Sequence, residues 1–482
     1  LLIALAACSV CFFDARGFLL YYGDAQAHLN ISRNLIDARQ PGYDQLGTVW
    51  LPVLHVICLP FVRNNGWWES GLAGAIPVSA CFVFAGLCLY LCAIEVFASA
   101  WSALAVLLCF ALNPNVLYLS AIPMTEIVFI AGLTGCLLCL LRFRRTQSVW
   151  YIPLAVIASW WMSLTRYDGW FLIPFIALFL ALSAKQSKMA IFITTGALAA
   201  LAPTYWLAHN WWETSNPLDF YNGPYSAAAI QGNRPYPGYH DWPQAFHYYW
   251  DAGRLCAGNV LLVIGIIGFL TALARRKWPA VAFLSLTPLF YVWSIHSSKT
   301  PIHIPILYPF SYYNTRYGIA IVVLTAFAAG AISKSRLALV LPLLTLLPWL
   351  IQPGVNHWIV WKESEQNSIS RRAWTAEAAA YLDANYQSGQ GILTEFGDLA
   401  GIFGKAHLPL KEAIHEGSGP AWFTNTMPNG LVRQAQWAMA QEGDKLATRL
   451  AESNSYQIVK VITVKDAPRL LIYQRRLFGA TP

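Results

Sequence analysis

Ile127-Val128-Phe129-Ile130-Ala131-Gly132-Leu133-Thr134-Gly135-Cys136-Leu137-Leu138-Cys139-Leu140-Leu141, followed at once by Arg142-Phe143-Arg144-Arg145, is the stretch that decides the fold. An uncharged run that ends in a basic cluster is the signature of a segment leaving the hydrocarbon of a bilayer. Comparable runs fall roughly at 1–15, 71–94, 99–117, 149–164, 170–184, 189–208, 257–274, 278–295, 317–332 and 337–351. The first holds only about 13 residues before Asp14, short of the roughly 20 that cross a bilayer. The chain is 57% hydrophobic and 12% charged, with a mean hydropathy of +0.45, which excludes an ordinary soluble protein. The expectation is an all-α polytopic membrane domain of about eleven transmembrane helices.

The charges orient these spans. Arg142, Arg144, Arg145, Lys185, Lys188, Arg275, Arg276, Lys277, Lys334 and Arg336 all fall in alternate short connections, which marks those connections as cytoplasmic. Glu95 is then the one acidic residue of the membrane body on that side, and the others, from Asp14 to Asp251, lie outside. The segments 14–70, 209–256 and 296–316 become large outer loops, and an odd number of spans puts the C-terminus outside as well. Any chemistry is therefore expected on the extracytoplasmic face of a bacterial inner membrane, where ATP and nucleotide-sugars are not supplied. No glycine-rich phosphate loop is present. The net charge of +8 is explained by this topology and does not argue for nucleic acid.

About 25 of the 56 charged residues lie after Pro353, so residues 1–352 read as the membrane domain and 353–482 as a small soluble α/β domain. Trp374 to Leu382 reads as an amphipathic helix and Gly391–Phe396 as a strand. Val459–Val464 and Leu470–Tyr473 read as two strands around the turn Lys465-Asp466-Ala467-Pro468. The ten cysteines all precede residue 257, mostly inside apolar runs, and read as small packing residues rather than zinc ligands or disulfides.

Ionisable groups beside the spans gather on the outer side. Asp24 and His28 stand one helical turn apart after Tyr21-Tyr22-Gly23. Asp24 alone also fits a helix cap. Glu126 opens the fourth span, Arg166 and Asp168 flank a tight turn, His303 lies in the last outer loop, and Arg316-Tyr317 opens the tenth span. Taken singly, each has a structural explanation: a helix terminus, a local ion pair, a snorkelling Arg. Their shared face is the stronger signal. The outer segments also carry aromatic residues such as Trp211-Trp212 and Tyr236-Pro237-Gly238-Tyr239, suited to an interfacial belt and to stacking on sugars.

Gly23-Asp24, Gln45-Leu46-Gly47-Thr48-Val49-Trp50-Leu51-Pro52, Met124-Thr125-Glu126 and Thr165-Arg166-Tyr167-Asp168-Gly169-Trp170, together with an outer C-terminal domain, give the chain a family likeness. It resembles the membrane glycosyltransferases of the GT-C fold, near the bacterial dolichyl-phosphate-mannose–protein mannosyltransferase-like enzymes. That resemblance implies transfer of a sugar from a polyprenyl-phosphate donor to a protein, glycan or lipid acceptor, with membrane lipids as surroundings. It implies Asp24 as the base or orienting group and Glu126 as a second carboxylate. His28, Arg166, Asp168, His303, Arg316 and Tyr317 are implied substrate or lipid-phosphate contacts. Many relatives carry a second acidic residue directly after the first-loop Asp; here Ala25 follows.

The chemistry fits such a kit. An attacking acceptor must lose a proton, a carboxylate favours an oxocarbenium-like sugar, and Arg or a metal favours the departing phosphate. No cofactor is required by the residues, although a divalent metal held by Asp24, Glu126 and His28 stays an alternative. Two other classes stay open: a catalytically silent GT-C-like subunit of a larger membrane complex, and a lipid-linked substrate transporter, which the nearly charge-free spans disfavour.

Overall fold

The computed structural model describes residues 1–418, 435–453 and 455–476. The chain folds into two compact units. One comprises residues 1–16, 48–54 and 75–363; the other comprises 17–47, 55–74 and 364–482.

The first unit is helical. Four helices are long and apolar enough to cross a membrane: Leu72–Phe97, Thr125–Thr146, Lys188–Thr214 and Trp278–Ser297. Two bent pairs raise the number to six. The remaining apolar helices, Leu2–Asp14, Tyr151–Ser163, Asp168–Ser183, Thr315–Ala329 and Arg336–Ile351, are 10–17 residues long. Each of the eleven apolar runs thus falls on a helix, and four of these helices, or six with the bent pairs, are long and apolar enough by themselves to cross. At 1.5 Å per residue, a 13-residue helix covers only about 20 Å of a roughly 30 Å hydrocarbon layer.

The two bends satisfy each other. Ala100–Ala111 and Pro114–Ser120 meet at 69°, and Trp242–Ala257 and Asn259–Ala274 at 108°. Asn113 caps the second half of the first pair, its Oδ1 accepting from the Asn115 and Val116 amides, with Pro114 at the first helical turn. The side-chain amides of Asn113 and Asn115 both donate to the Cys256 carbonyl, at 3.0 Å each, where the second pair breaks. Gly258 makes that break possible: its φ of +79° suits only glycine, and a Cβ there would lie 3.1 Å from the Trp349 ring. Broken helices persist in apolar surroundings only where protein groups take up the freed backbone atoms.

The basic connections come together at one end of the helices. Glu95 pairs with Arg142 at 2.6 Å and Arg145 at 3.2 Å. Gln147 donates to the Ser183 carbonyl and accepts from the Lys185 amide. Ser99 and Ser102 donate to the Lys334 and Ser333 carbonyls, and Arg275 donates to the Ala331 carbonyl.

Among its described residues the second unit carries a five-stranded sheet: β1 (Ile392–Thr394), β2 (Ala413–Ile414), β3 (Trp437–Gln441), β4 (Tyr456–Ile462) and β5 (Leu470–Arg475), ordered β2-β1-β3-β5-β4. β1 is parallel to β2 and β3, whereas β5 is antiparallel to β3 and β4. The β4–β5 hairpin and β1 lie where the sequence places strands. The Lys445–Glu452 helix is capped by Asp444 and packs Leu446 and Leu450 into a core with Leu393, Ile414, Tyr456 and Tyr473. The segment 14–70 is not a simple loop. It contains helices Gly23–Asp37, Val53–Cys58 and Asn65–Ser70, and 209–256 is likewise interrupted by helices up to Trp242–Ala257.

Candidate active site

In the first unit, five charged side chains from four places in the sequence converge. Glu126 stands in the first turn of the Thr125–Thr146 helix and is 2% exposed. Its Oε1 accepts from Arg166 Nη1 and Arg316 Nε, both at 3.0 Å. Arg166 also donates to Asp168 Oδ1 at 3.2 Å, Thr125 Oγ1 at 2.8 Å and the Tyr291 hydroxyl at 3.0 Å. Tyr291 in turn donates to Asp168 Oδ2 at 2.9 Å. Arg316 Nη1 donates to Glu363 Oε1 at 3.1 Å. Glu363 Oε2 accepts from the Thr315 amide at 2.7 Å and from the Thr315 hydroxyl.

The sequence builds this locally. The chain turns at Leu164–Tyr167, so Arg166 and Asp168 face one another across two residues, and Gly169 must follow. A Cβ at Gly169 would lie 2.6 Å from the Met162 and Ser163 backbone. Thr315 and Arg316 open a short 3₁₀ turn, Thr315–Gly318, whose first free amide is the one Glu363 takes up. The rings of Tyr249, Tyr291 and Tyr317 stack beside the cluster, with centroids 5.6 and 4.9 Å apart. The guanidinium carbons of Arg166 and Arg316 lie 4.9 and 5.3 Å from the Tyr317 centroid.

Three carboxyl groups face two guanidiniums. Burial pushes the Glu363 carboxyl above its ordinary value, opposed by Arg316 and the Thr315 hydrogen bonds. Such an arrangement offers a carboxylate beside fixed positive charge, suited to a sugar that gains positive character and a leaving group that gains negative charge.

Of the residues expected from sequence, Glu126, Arg166, Asp168, Arg316 and Tyr317 are brought together. His303 is not: it pairs with Tyr313 through two backbone hydrogen bonds of 2.9 and 3.0 Å, and burial lowers its pKa. Glu363, Tyr291 and Tyr249 were not foreseen. Glu363 sits in Trp361-Lys362-Glu363-Ser364-Glu365, which reads as a solvated helix, and the two tyrosines lie in aromatic-rich stretches with no distinguishing pattern.

Asp24 and His28 belong to the second unit. The Gly23–Asp37 helix has Tyr22 as its N-cap, so Asp24 is a first-turn residue rather than the cap, in a position that the helix dipole favours for a carboxylate. Arg371 donates to the Tyr21 carbonyl at 2.5 Å, and Arg372 donates to the Tyr21 hydroxyl at 3.0 Å, which anchors the approach to this helix. His28 does turn onto the same helix as Asp24, but it is buried and shares a 2.9 Å hydrogen bond with His55. Burial, with His28 beside it, lowers the His55 pKa well below its ordinary value. Among the described residues no three His, Cys, Asp or Glu side chains are grouped to hold a metal ion.

The fold is the GT-C fold of membrane glycosyltransferases. The chain is similar over 100% of its length, and 99% of the other chain, to ArnT from Cupriavidus metallidurans bound to undecaprenyl phosphate, with a TM-score of 0.61 and 12% identity. The apo state of the same protein is similar over 93% of both chains, with a TM-score of 0.54 and 12% identity. The Archaeoglobus fulgidus oligosaccharyltransferase tethered to an acceptor peptide gives a TM-score of 0.48 at 12% identity, over 99% of this chain and 74% of the other. No family model matches the sequence, and neither does any curated protein.

Proposed function

We propose that this chain is a glycosyltransferase that moves a sugar from a polyprenyl-phosphate donor to an acceptor on the extracytoplasmic face of the bacterial inner membrane. The observation that carries the reading is the buried cluster of Glu126, Arg166, Asp168, Arg316 and Glu363, lying in a GT-C fold. Burying five charges is costly, and a fold that needed only packing would do as well with apolar side chains. The full-length likeness to a protein bound to undecaprenyl phosphate supports the donor class.

In this reading Asp24 takes the proton from the acceptor as it attacks the anomeric carbon, and a single inverting displacement releases the polyprenyl phosphate. Glu126 stabilises positive charge on the sugar. Arg316, backed by Arg166 and Tyr317, meets the leaving phosphate; its Nε and Nη1 are engaged by carboxylates, so the phosphate takes the place of one of them. The same reading takes His28, Asp168 and His303 as substrate contacts. A mannosyltransferase-like donor preference, the membrane-domain boundary near 352 and an outer C-terminal domain complete the proposal. One observation favours a silent scaffold instead: both guanidiniums are already matched by carboxylates.

The deciding experiment reconstitutes the full chain in liposomes with undecaprenyl-phosphate-linked hexoses, adds a bacterial membrane extract to supply acceptors, and follows free undecaprenyl phosphate. Asp24→Asn keeps size and hydrogen bonding but removes the base, and is expected to slow release by about 10²–10⁴-fold. No release from any donor supports the scaffold, and equal rates in wild type and variant remove Asp24 from catalysis.

A further inference from the structure

Away from the ion-pair cluster, the first unit holds a cavity of about 370 Å³, within the roughly 300–1,000 Å³ of small-molecule sites. The short helices Asp219–Asn222 and Ala227–Gln231 line one side of it, and the end of the Trp278–Ser297 helix lines the other. The segment between them is strapped to that helix end. The Tyr236 hydroxyl donates to the Ile295 carbonyl at 2.7 Å, and the His240 amide donates to the His296 carbonyl at 3.0 Å. The Trp242 ring stacks on His296 with centroids 3.9 Å apart. Gly238 lets the strap lie this close: its φ is +93°, and a Cβ there would fall 2.7 Å from Ile295 Cγ2. Tyr239 is thereby set as a wall of the cavity, backed by the Tyr236 and His240 rings. Tyr291 of the cluster and Ser297 of the cavity share one helix, about 9 Å apart along its axis.

The lining states what it accepts. Lys299 brings the one charge on it, and no acidic residue lines it. One proton of the Lys299 ammonium goes to the Gly232 carbonyl at 3.3 Å, and among the described residues no carboxylate pairs with it. The acidic residues adjoining the lining are committed elsewhere: Asp219 Oδ2 accepts from Thr48 Oγ1 at 2.5 Å, and Asp241 Oδ1 from the Gln244 amide at 3.0 Å. The neutral groups are donors too. Asn222 Oδ1 is taken by Asn216, whereas Asn222 Nδ2 and the hydroxyls of Tyr221, Tyr239 and Ser298 have no partner among the described residues. The Tyr221 ring is 54% exposed. An unpaired cation suits an anion, and donors beside an open aromatic face suit a ligand with many oxygens and an apolar side. A sugar ring carries C–H bonds on its faces and oxygens around its rim.

We propose that this cavity binds a sugar ring bearing a negative charge, such as a uronic acid, with Lys299 Nζ on the charged group, Tyr221 against the face of the ring, and Asn222 and Ser298 on its hydroxyls. A bare anion gains nothing from Tyr221, and a neutral sugar leaves Lys299 unmatched. That this saccharide is the acceptor rests on the transferase reading above; the binding does not.

Saturation-transfer NMR on the purified full chain in detergent tests this with methyl glucuronide and methyl glucoside, the same ring with a carboxylate or a hydroxymethyl group, and with inorganic phosphate as competitor. Wild type is expected to bind the glucuronide about fivefold more tightly than the glucoside, and equimolar phosphate to leave the glucuronide bound. Lys299→Gln removes that preference without changing glucoside binding. Lys299→Arg keeps it, which separates lost charge from lost fold. Tyr221→Ala weakens both sugars by about threefold. Equal affinity for the two sugars, binding of neither, displacement by equimolar phosphate, a preference that survives Lys299→Gln, or unchanged binding in Tyr221→Ala overturns the proposal. Glucuronide binding with no donor turnover in liposomes counts against the transferase reading and leaves the cavity assignment standing; turnover with no glucuronide binding does the reverse.

Discussion

Removing the Glu363 carboxylate probes the cluster at its least expected member. Glu363 Oε2 serves the Thr315 amide and hydroxyl, while Oε1 serves Arg316 Nη1. Glu363→Ala leaves a buried amide and one arm of a buried guanidinium without their acceptor, and breaking one partner out of a buried ion pair costs about 3–5 kcal/mol. Glu363→Gln keeps one acceptor oxygen but turns an NH₂ group towards a donor. If the oxygen serves Thr315, the amide nitrogen faces Arg316; if it serves Arg316, the nitrogen faces the Thr315 amide. One donor stays unmatched either way, for about 1–3 kcal/mol. The Gln variant also equalises carboxylates and guanidiniums, so it belongs at the lower end. With an unfolding entropy of about 2.1 cal/mol/K per residue, 482 residues give roughly 1 kcal/mol/K, so the melting point falls by about 3–5 °C for Ala and about 1–3 °C for Gln. Differential scanning fluorimetry in a fixed detergent resolves these shifts. An unchanged melting point for Glu363→Ala, or a Gln variant as unstable as Ala, refutes the view that Glu363 anchors Arg316 and the start of its helix.

Two further outcomes follow from the same structure. Burial holds the His415 imidazole down at about 4, beside the Phe396 ring at 4.3 Å and accepting from the Gly417 amide at 3.1 Å. A depressed folded-state pKa contributes stability above the unfolded value near 6.5, lost as pH falls towards about 4, so the second unit weakens across that window by up to about 3 kcal/mol. His415→Phe should flatten the fall in melting temperature between pH 6.5 and 4, and an unchanged slope rules the imidazole out as its source. For orientation, single cysteines at exposed Ser215 and Gln186 in a cysteine-free background should respond oppositely to an impermeant maleimide on intact cells, Ser215 labelled and Gln186 protected. The reverse pattern inverts the topology.

The sequence by itself determined the kind of solvent this chain lives in and the ends at which its charges gather. Apolar runs are local, and so is the clustering of Arg142, Arg144 and Arg145 at a helix end, because removing charge from hydrocarbon is enforced residue by residue. The strands around Lys465–Pro468 were legible for the same reason: alternation and turn chemistry act over a few neighbours. Glu126, Arg166, Asp168 and Arg316 were visible as ionisable groups next to apolar runs, but singly each looked like a cap or a local pair. Only the tertiary structure decided that Glu126 joins both arginines, because residues 126, 166 and 316 meet through helix packing rather than spacing. It also decided that Glu363, in a stretch that reads as solvated, is buried against Thr315 and Arg316. The breaks at Asn113 and Gly258, which shorten the spans, depend on a carbonyl of one bend finding two amides of the other. No window of either segment contains that partner.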